Sequence, residues 1–315
     1  MKIAIVTDTV LEPRSSVDWK KLCEANKLEY REFDSYDPRF IDELLEYNPQ
    51  RTLWRSGNSP PKKFKDEAQR QFLDRAGLRI VPNWKTHYLY DHKIRQSYLF
   101  RYHNIPHPKT WIFFKESYAS DFVENAEYPF VVKADSGAGS KSFVFVGSKE
   151  KARELVHGTF KKKGKWAGRE YESKVLYVQE YIPIKGVWRI GMFKDNVAYG
   201  YFAKVKPGTK KASGQGLIDY TALVPQEVFS MAMRINRRMG WDWMLYDIIW
   251  STKYKKYLIL EITDTCGHHG NSERKLTHYR KGDVWIPKEE RTPIQELVFR
   301  LFVLEDMQRY EAPGC

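Results

Sequence analysis

The sequence predicts a protein of mixed α/β and α+β class that is built from three lobes. Strand and helix patterns alternate over the first 85 residues, which is typical of a small parallel sheet flanked by helices. Pairs of strands joined by short turns follow, which is typical of antiparallel sheets. The chain has 315 residues, of which 42% are hydrophobic and 15% aromatic, so disorder is disfavoured. A chain of this length and composition can form several packed lobes. We predict lobes at residues 1–85, 86–182 and 183–315.

The first lobe begins with a buried strand at Lys2–Thr7, whose apolar run ends in polar turn residues. Helix and strand patterns then alternate, at about Val17–Ala25, Leu28–Phe33, Ile41–Tyr47, Thr52–Trp54 and Phe64–Ala76. Gly77 ends the last of these helices. Because no glycine-rich fingerprint follows the first strand, we do not expect a dinucleotide site there.

The second lobe begins with a helix predicted over Thr86–His103, which Pro106 and Pro108 end. Strands at Pro129–Asp135 and Ser142–Val146 flank a loop of glycine and serine residues. The other elements are a helix at Lys149–Thr159, a solvated lysine-rich connection at Lys161–Lys165 and a strand at Val175–Ile182.

The third lobe is predicted to hold two strand pairs, a helix between them and a closing helix. The elements are strands at Val187–Phe193 and Asn196–Val205, a polar loop at Lys206–Gly216, a helix at Val228–Met239, strands at Met244–Trp250 and Tyr257–Thr263, and a helix at Ile294–Tyr310. Thr292 and Gln295 predict a capping box for the closing helix, with Pro293 at its first position.

The charge of the chain is strongly positive, with 53 basic and 40 acidic residues, a net charge of +13 and a pI near 9.4. Residues 1–85 hold 16 basic and 14 acidic side chains, so the excess lies in the later lobes. The three cysteines, Cys23, Cys266 and Cys315, are too few and scattered for a disulfide framework, which favours a reducing, cytoplasmic compartment. No apolar run approaches the roughly 20 residues of a membrane span, so we expect no membrane partner.

The first candidate site is Lys133 together with the loop of small residues that follows it. Lys133 lies in a predicted buried strand, directly before this loop. Gly137 and Gly139 let the backbone approach a ligand closely, and successive amides could form an anion-binding nest. Ser136, Ser140, Lys141 and Ser142 add hydroxyl groups and a charge, so the loop suits a flap over phosphates. It is not the G-x-x-x-x-G-K-[ST] loop, and the alternative is a plain hairpin turn with a surface lysine.

Two acidic residues interrupt apolar strands, which is the second candidate site. Asp247 and Glu261 lie in the two strands of the predicted hairpin and can share one face, which Thr263 also shares. Buried carboxylates need a partner or a metal, and Mg²⁺ is commonly held by one or two carboxylates together with substrate phosphates. The alternative is that one of them pairs with a core arginine.

The remaining candidates are a histidine loop and several isolated basic residues. Cys266, His268 and His269 crowd one loop without a second pair of ligands, so we prefer a substrate-lining loop to a zinc site. Lys93 lies inside the helix predicted to begin at Thr86, and Arg189 and Lys204 lie in strands. A single lysine or arginine is usually a solvated surface group, but their interior strand positions make Arg189 and Lys204 better candidates.

Taken in order, these segments resemble the ATP-grasp superfamily, and most closely its carboxylate–amine ligases. That group includes ribosomal-protein glutamate ligases, D-alanine–D-alanine ligases and glutathione synthetases. The segments that resemble the family's motifs are Asp91–Lys93, Asn104–Thr110, Pro129–Val146, Val178–Ile182, Asp247 and Leu260–Thr263. The resemblance implies the ATP-grasp fold, in which a parallel α/β lobe precedes two α+β lobes that clamp ATP.

The resemblance also implies roles for individual residues. Lys93 and Lys133 would contact the α- and β-phosphates, and Ser136–Ser142 would cover the triphosphate. Gln179 would reach the adenine amino group, and backbone atoms of Glu180 and Ile182 would read the adenine edge, with Tyr181 between them in the ATP-binding hinge. Arg189 would stabilise a phosphorylated intermediate, and Lys204 would lie near the γ-phosphate. Asp247 and Glu261 would hold Mg²⁺.

The implied reaction joins a carboxylate to an amine through an acyl phosphate, with ATP and one or two Mg²⁺ ions as cofactors. This sequence departs from the family pattern at the metal pair, where Thr263 replaces asparagine and Asp264 could substitute for it. The acidic residue that often binds the ribose is not evident in Ile184–Trp188, and Cys266-Gly267 replaces a proline-glycine. An unusual acceptor substrate is therefore expected.

Two other functions stay open on the sequence alone. The fold could serve a kinase of small polyols, or a nucleic-acid-binding module with a vestigial ATP site. Lys204, Lys206, Lys210 and Lys211 form an acid-free basic stretch, which predicts a polyanionic substrate, either an acidic peptide or a nucleic acid. The alternative is that these lysines are solvated and the substrate is small. The oligomeric state cannot be predicted.

Overall fold

The computed structural model contains three main sheets and one short hairpin. It describes residues 1–7, 14–55, 60–136, 143–161, 164–166, 169–171, 175–210, 212, 217–264, 277–288 and 292–306. Strands of the three sheets lie between residues 2 and 81, 110 and 180, and 186 and 288. The lobe boundaries at residues 85 and 182 stay a prediction.

The first sheet is parallel, as the alternating pattern predicted. Its strands are β1 (Lys2–Thr7), β2 (Glu29–Asp34), β3 (Arg51–Trp54) and β4 (Ile80–Val81), in the order β2-β1-β3-β4. The connecting helices are α1 (Arg14–Ala25), α2 (Phe40–Tyr47) and α3 (Pro60–Arg75). The middle of β1 is buried, which explains its uninterrupted apolar run.

The second sheet is antiparallel and has the order β5-β10-β6-β7. Its strands are β5 (Thr110–Phe113), β6 (Phe130–Lys133), β7 (Val144–Val146) and β10 (Leu176–Glu180). Helices α6 (Glu116–Asn125) and α7 (Lys149–Lys161) pack together over it. The short hairpin consists of β8 (Gly164–Trp166) and β9 (Arg169–Tyr171), where the sequence had suggested only a solvated connection.

The third sheet has seven strands, with the order β15-β14-β11-β12-β16-β17 and β13 beside β12. The strands are β11 (Gly186–Phe193), β12 (Val197–Lys204), β13 (Leu217–Asp219), β14 (Trp243–Ser251), β15 (Lys256–Thr263), β16 (Thr277–Lys281) and β17 (Val284–Lys288). Helix α8 (Gln226–Met239) packs on one face, and the predicted hairpin of β14 and β15 is present.

The helix predicted over Thr86–His103 is wrong as a single element, because the chain breaks it into α4 (Trp84–His87) and α5 (Lys93–Tyr102). Asp91 lies between them with a φ of 49°, outside the helical region. The carbonyl oxygen of Asp135 accepts a hydrogen bond from the Lys93 N–H (3.1 Å), so a distant strand end determines where α5 begins. Periodicity cannot reveal such a tertiary contact.

The closing helix also differs from the prediction. Helix α9 (Ile294–Phe299) begins after Pro293, which is its N-cap, and it continues as a π-helical turn over Arg300–Leu304. Thr292 Oγ1 has no hydrogen-bond partner in the described part of the chain, and Pro293 rather than Thr292 is the N-cap, so the predicted capping box is wrong. This segment packs against both the first sheet and the third sheet, in an apolar cluster that contains Phe302. No helix in the described residues is long and apolar enough to cross a membrane.

Replacement of Phe302 by alanine should strongly destabilise the chain. Phe302 is 0% exposed and lies in the cluster that joins the first and third sheets, so the cavity should cost about 3–5 kcal/mol of unfolding free energy. Urea unfolding checks this, with Tyr102→Ala as the control because Tyr102 is 82% exposed. A loss below about 1 kcal/mol at Phe302 would show that this cluster does not hold the sheets together.

Candidate active site

One face of the seven-stranded sheet carries four polar side chains in a row. The register pairs Tyr201 in β12 with Arg189 in β11, Arg189 with Asp247 in β14, and Asp247 with Glu261 in β15. Residues directly opposite one another in a sheet share a face. A β-bulge beside Asp247 leaves Leu260 as an extra residue in β15, and such bulges often direct side chains into active sites. The row brings one guanidinium and two carboxylates together.

Ion pairs hold this row in place. Arg189 Nη2 lies 3.3 Å from Asp247 Oδ2, and this carboxylate raises the pKa of Arg189 above its ordinary value. Lys93 Nζ lies 3.2 Å from Glu261 Oε1. Burial raises the pKa of Glu261, and Asp247 adds to the effect while Lys93 opposes it. The pairing of Asp247 with an arginine was the alternative to a metal site, and the structure contains that pair beside a second carboxylate.

Lys133 at the end of β6 reaches the same cleft from the second sheet. Its ammonium donates a hydrogen bond to Gln179 Oε1 over 2.7 Å. Desolvation lowers the pKa of Lys133 to about 8, an effect that Glu261 and Asp247 oppose and Lys93 strengthens. These mutual effects mean that Lys93, Lys133, Asp247 and Glu261 share one electrostatic site. With Arg189 and Asp91 counted, the site holds three cations and three carboxylates, since Asp91 Oδ1 lies 3.7 Å from Lys93 Nζ, and the three cations suit a polyphosphate.

Gln179 is oriented by its neighbours in the second sheet. Its amide nitrogen lies 3.3 Å from Thr110 Oγ1 and 3.4 Å from Tyr177 Oη, and its amide oxygen accepts from Lys133. The side chain is buried. The amide oxygen therefore faces the lysine that was expected to bind phosphate, and a carbonyl oxygen can accept one further hydrogen bond.

Asp135 connects the start of the glycine loop to helix α5. Its Oδ1 accepts from the Ile94 N–H (2.9 Å) and its Oδ2 lies 3.1 Å from His92 Nδ1. Partial burial alone would raise the pKa of Asp135, but the hydrogen bonds from His92 and Ile94 lower it below its ordinary value. A carboxylate at the N-terminus of a helix is favourable, so the contact fixes Lys93 relative to Lys133.

Gln96 holds the strand that carries Glu261. Its side chain donates to the Ile262 carbonyl (2.8 Å) and accepts from the Ile262 N–H (3.1 Å), and it also donates to the Leu89 carbonyl (2.9 Å). Strand β15 is an edge of its sheet, so these bonds satisfy backbone groups that no further strand pairs. Gln96 therefore fixes the position of the strand backbone next to Glu261.

The hinge between the second and third sheets is bonded to the tip of the β14–β15 hairpin. Glu180 accepts hydrogen bonds from Lys253 Nζ (2.5 Å) and from Tyr254 Oη (2.9 and 2.8 Å to its two oxygens). Burial opposes ionisation, but these bonds lower the pKa of Glu180. The Tyr181 ring lies 5.0 Å from the ring of Phe145.

An apolar cluster lies beside the hinge and could pack against a purine. It contains Ile182 and residues of the third sheet, together with Ala212 from the loop after β12; the others are Val187, Ile249 and Leu258, with Ile184, Val205, Tyr254 and Leu260 partly buried against them. Flat apolar walls with backbone polar groups nearby are typical of nucleotide pockets.

Other predicted site residues lie apart or are committed elsewhere. Alternation along β12 puts Lys204 on the opposite face from Tyr201, and its ammonium lies 3.3 Å from Asp219 Oδ2. Thr263 shares the face of Glu261. Asp264 is buried and lies 3.1 Å from His87 Nδ1, so it is committed to that histidine. Among the described residues no group of three or more His, Cys, Asp and Glu side chains could hold a metal ion.

Part of the predicted site lies outside the described residues. Ser136 is described, exposed and next to Asp135. The residues beyond the described part are Gly137, Gly139, Ser140, Lys141, Ser142, Cys266, His268 and His269. The flap over the triphosphate and the substrate-lining loop therefore stay predictions.

The sequence analysis missed several residues that shape the site: Gln96, Asp135, His92, Tyr201, Lys253 and Tyr254. Gln96 was hidden because its partner is a backbone 166 residues away. Tyr201 contacts Arg189 through its hydroxyl, which only the register of β11 and β12 reveals. The role of Asp135 could have been predicted from the sequence, since an acidic residue directly after a strand can cap a nearby helix.

Nucleotide binding should weaken as the pH rises through about 8. Lys133 is predicted to bind phosphate in its protonated form, and its pKa near 8 means that this form is lost above that pH. ATP affinity should fall about tenfold between pH 7 and pH 9. Titration of a fluorescent ATP analogue checks this, and Lys133→Arg should remove the pH step because arginine stays charged. Constant wild-type affinity across this range would contradict the assignment of Lys133.

Replacement of Gln96 by methionine should weaken both the fold and ATP binding. The change keeps the volume but leaves the Ile262 N–H and two carbonyls without their partner, at a cost of about 1–3 kcal/mol in unfolding free energy. Gln69→Met is the control, since Gln69 bonds the Ser35 carbonyl in the first lobe. Equal ATP affinity in the two variants, at temperatures where both are folded, would show that Gln96 does not position Glu261.

Comparisons with known proteins agree with this geometry. No protein-family model matches the sequence. The chain is 23% identical over 193 residues to the alpha-aminoadipate–LysW ligase LysX of Saccharolobus solfataricus. The matched region covers 60% of this chain and 67% of that protein.

Solved structures show the fold. A RimK domain ATP-grasp protein of Sphaerobacter thermophilus matches with a TM-score of 0.61 and 15% identity, over 87% of this chain and 95% of that one. The macrocyclase MdnC of Microcystis aeruginosa, solved with its precursor peptide MdnA, matches with a TM-score of 0.60 and 15% identity, over 96% of this chain and 100% of that one. The chain thus has the ATP-grasp fold, and its sequence is similar to that of a ligase, alpha-aminoadipate–LysW ligase.

Proposed function

We propose that the chain forms an amide bond between a carboxylate and an amine, with ATP as the energy source and an acyl phosphate as the intermediate. The observation that carries the proposal is the row of Arg189, Asp247 and Glu261, which faces Lys93 and Lys133 from the neighbouring elements. Such a group of charges neutralises and orients a triphosphate, which is most of what phosphoryl transfer requires.

The proposed chemistry has two steps, and each needs positioning rather than a protein nucleophile. An oxygen of the substrate carboxylate attacks the γ-phosphorus, the bond to the β-phosphate oxygen breaks, and ADP leaves. The amine then attacks the acyl carbon, loses a proton and displaces inorganic phosphate. In this proposal Arg189 neutralises the charge on the transferred phosphoryl group, and Lys93 and Lys133 hold the remaining phosphates.

The residues present fit a magnesium ion. Asp247 and Glu261 stand opposite each other, and carboxylate oxygens are the ligands that Mg²⁺ takes in phosphate sites. When bound, the ion supplies charge neutralisation between the phosphates. Glu261 would exchange its contact with Lys93 for the ion, and Asp247 its contact with Arg189, which frees both cations for phosphate. A second ion would need Thr263 as a further ligand.

A polypeptide is the proposed substrate. One structural neighbour was solved with its precursor peptide. The loop after β12 adds Lys206 and Lys210 to the third lobe, which supports an acidic peptide in preference to a small neutral substrate. A nucleic acid is the other polyanion that the charge alone would allow. The proposed cytoplasmic location rests on the three cysteines, which are too few and scattered for a disulfide framework.

The alternative functions differ in the substrates that each needs in order to release ADP. A kinase acting on a hydroxyl would release ADP without an amine, whereas the ligase needs both a carboxylate and an amine. A vestigial site is disfavoured, because Lys93, Lys133, Asp247 and Glu261 are all present and close together. Incubation with ATP, Mg²⁺ and pools of amino acids and peptides, followed by ADP assay and product mass, distinguishes these cases. A phosphorylated product would overturn the ligase proposal.

Glu261→Gln should abolish ATP turnover. The change removes one of the two proposed magnesium ligands and leaves the partly enclosed Lys93 without its nearest carboxylate, so turnover should fall at least 100-fold. The measurement is substrate-dependent ADP release at saturating Mg²⁺. Glu154→Gln is the control, because Glu154 is exposed on α7 and its ion pair in the described part of the chain is with Lys151. Normal turnover in the Glu261 variant would refute the metal assignment.

A further inference from the structure

The distribution of acidic residues leaves one region of the later lobes without negative charge. Acidic residues make up 40 of the 315 in the chain. None occurs in the four stretches 105–115, 181–193, 196–218 and 248–260. Each of these stretches carries lysine, so they are basic wherever they come together.

Hydrogen bonds show that the four stretches meet at the hinge. The Glu180 N–H donates to the Lys109 carbonyl (2.8 Å), and the Glu180 carboxylate accepts from Lys253 Nζ (2.5 Å) and Tyr254 Oη. The Val205 N–H donates to the Lys185 carbonyl (3.0 Å). Segments that are far apart in sequence are therefore neighbours on the hinge side of the cleft.

We define the hinge surface by the seven lysines of these stretches that lie beside the hinge: Lys109, Lys185, Lys206, Lys210, Lys253, Lys255 and Lys256. All are exposed except Lys206, which is half-buried. Glu180 is the acidic side chain that reaches them, but it is only 11% exposed and is occupied by Lys253 and Tyr254. In the described part of the chain, Lys185, Lys255 and Lys256 make no ion pair, so their charge faces solvent.

We propose that the hinge surface docks an acidic segment of the polypeptide substrate, an inference that rests on the ligase function proposed above. Clustered like charges attract an oppositely charged partner over about 8–10 Å at physiological ionic strength. Docking of one segment raises the local concentration of the rest of the same chain, so the reacting carboxylate or amine would reach the cleft more often. The surface thus serves recruitment, while the cleft performs the chemistry.

The structure favours a polypeptide over a nucleic acid for this surface. Single-stranded nucleic acids gain much of their affinity from bases stacked on open aromatic rings. Three rings beside the hinge lie against lysine instead, since Lys210 Nζ lies 2.9 Å from the Phe145 ring centre and 5.3 Å from that of Tyr181, and Lys253 Nζ lies 5.3 Å from that of Tyr254. Lysines without neighbouring arginines also offer point charges, which suit flexible carboxylates better than base edges.

The test compares wild type with a charge-reversed triple variant, Lys185→Glu, Lys255→Glu and Lys256→Glu. None of these residues belongs to the proposed catalytic machinery. The probes are a fluorescent oligoglutamate peptide and an oligothymidylate of equal length, titrated across a salt series. Wild type should bind oligoglutamate, with affinity that falls as salt rises, and the triple variant should bind it at least tenfold more weakly.

A matched control carries the same charge change elsewhere, at the exposed lysines of Lys21→Glu, Lys151→Glu and Lys281→Glu. The control should bind oligoglutamate within about twofold of wild type if docking is local rather than a response to net charge. Equal binding by the triple variant and wild type, or equal losses in the triple variant and the control, would overturn the proposal. Tighter binding of oligothymidylate than of oligoglutamate would replace the peptide by a nucleic acid.

Failure of this proposal can be told apart from failure of the proposed function. The triple variant should bind a fluorescent ATP analogue as wild type does, because the changed residues lie outside the row of Arg189, Asp247 and Glu261. If wild type binds oligoglutamate at the hinge surface but never forms an amide from peptide pools, the ligase function is wrong and the docking result still stands. If amides form equally well in wild type and triple variant from acidic peptides, the docking proposal is wrong.

Discussion

The register that sets Asp247 opposite Glu261 is the constraint on which the rest of the site depends. Two carboxylates side by side repel each other and lose hydration, so they persist only where cations surround them. Arg189, Lys93 and Lys133 provide those cations, and each comes from a different element. The cleft is therefore a balanced set of charges before any nucleotide arrives, and binding of a magnesium–triphosphate complex would exchange one set of partners for another.

The surrounding structure keeps these charges at fixed separations. Gln96 bonds the backbone beside Glu261, and Asp135 bonds the start of the helix that carries Lys93. At the hinge, Glu180 is held by Lys253 and Tyr254 from the hairpin that bears both carboxylates. These contacts join the second sheet to the third, so hydrogen bonds link the residues expected to read adenine to those expected to hold the metal. Preorganisation of this kind is what electrostatic catalysis requires.

Much of the fold and the charged residues of the site could be predicted from the sequence, because they depend on local patterns. The apolar run of β1, the hairpin of β14 and β15, and acidic residues inside apolar strands are all visible along the chain. The break between α4 and α5, the bulge beside Asp247 and the role of Gln96 could not be predicted, because each depends on a partner distant in sequence. Lys204 shows the same limit, since its assignment beside the γ-phosphate came from motif order, whereas alternation along β12 turns it to the other face, towards Asp219. Pairing of strands, rather than their existence, was the missing information.

The most direct test of the proposed chemistry follows the transfer of a carboxylate oxygen atom to inorganic phosphate. If a substrate carboxylate attacks the γ-phosphorus and an amine later displaces phosphate, one carboxylate oxygen must leave in the inorganic phosphate. Peptides whose carboxylates have been exchanged with ¹⁸O, incubated with ATP, Mg²⁺ and the amine pool, should yield phosphate that carries one ¹⁸O atom for each amide formed. Unlabelled phosphate formed together with a labelled product would contradict an acyl phosphate, and with it the central claim that this cleft activates a carboxylate.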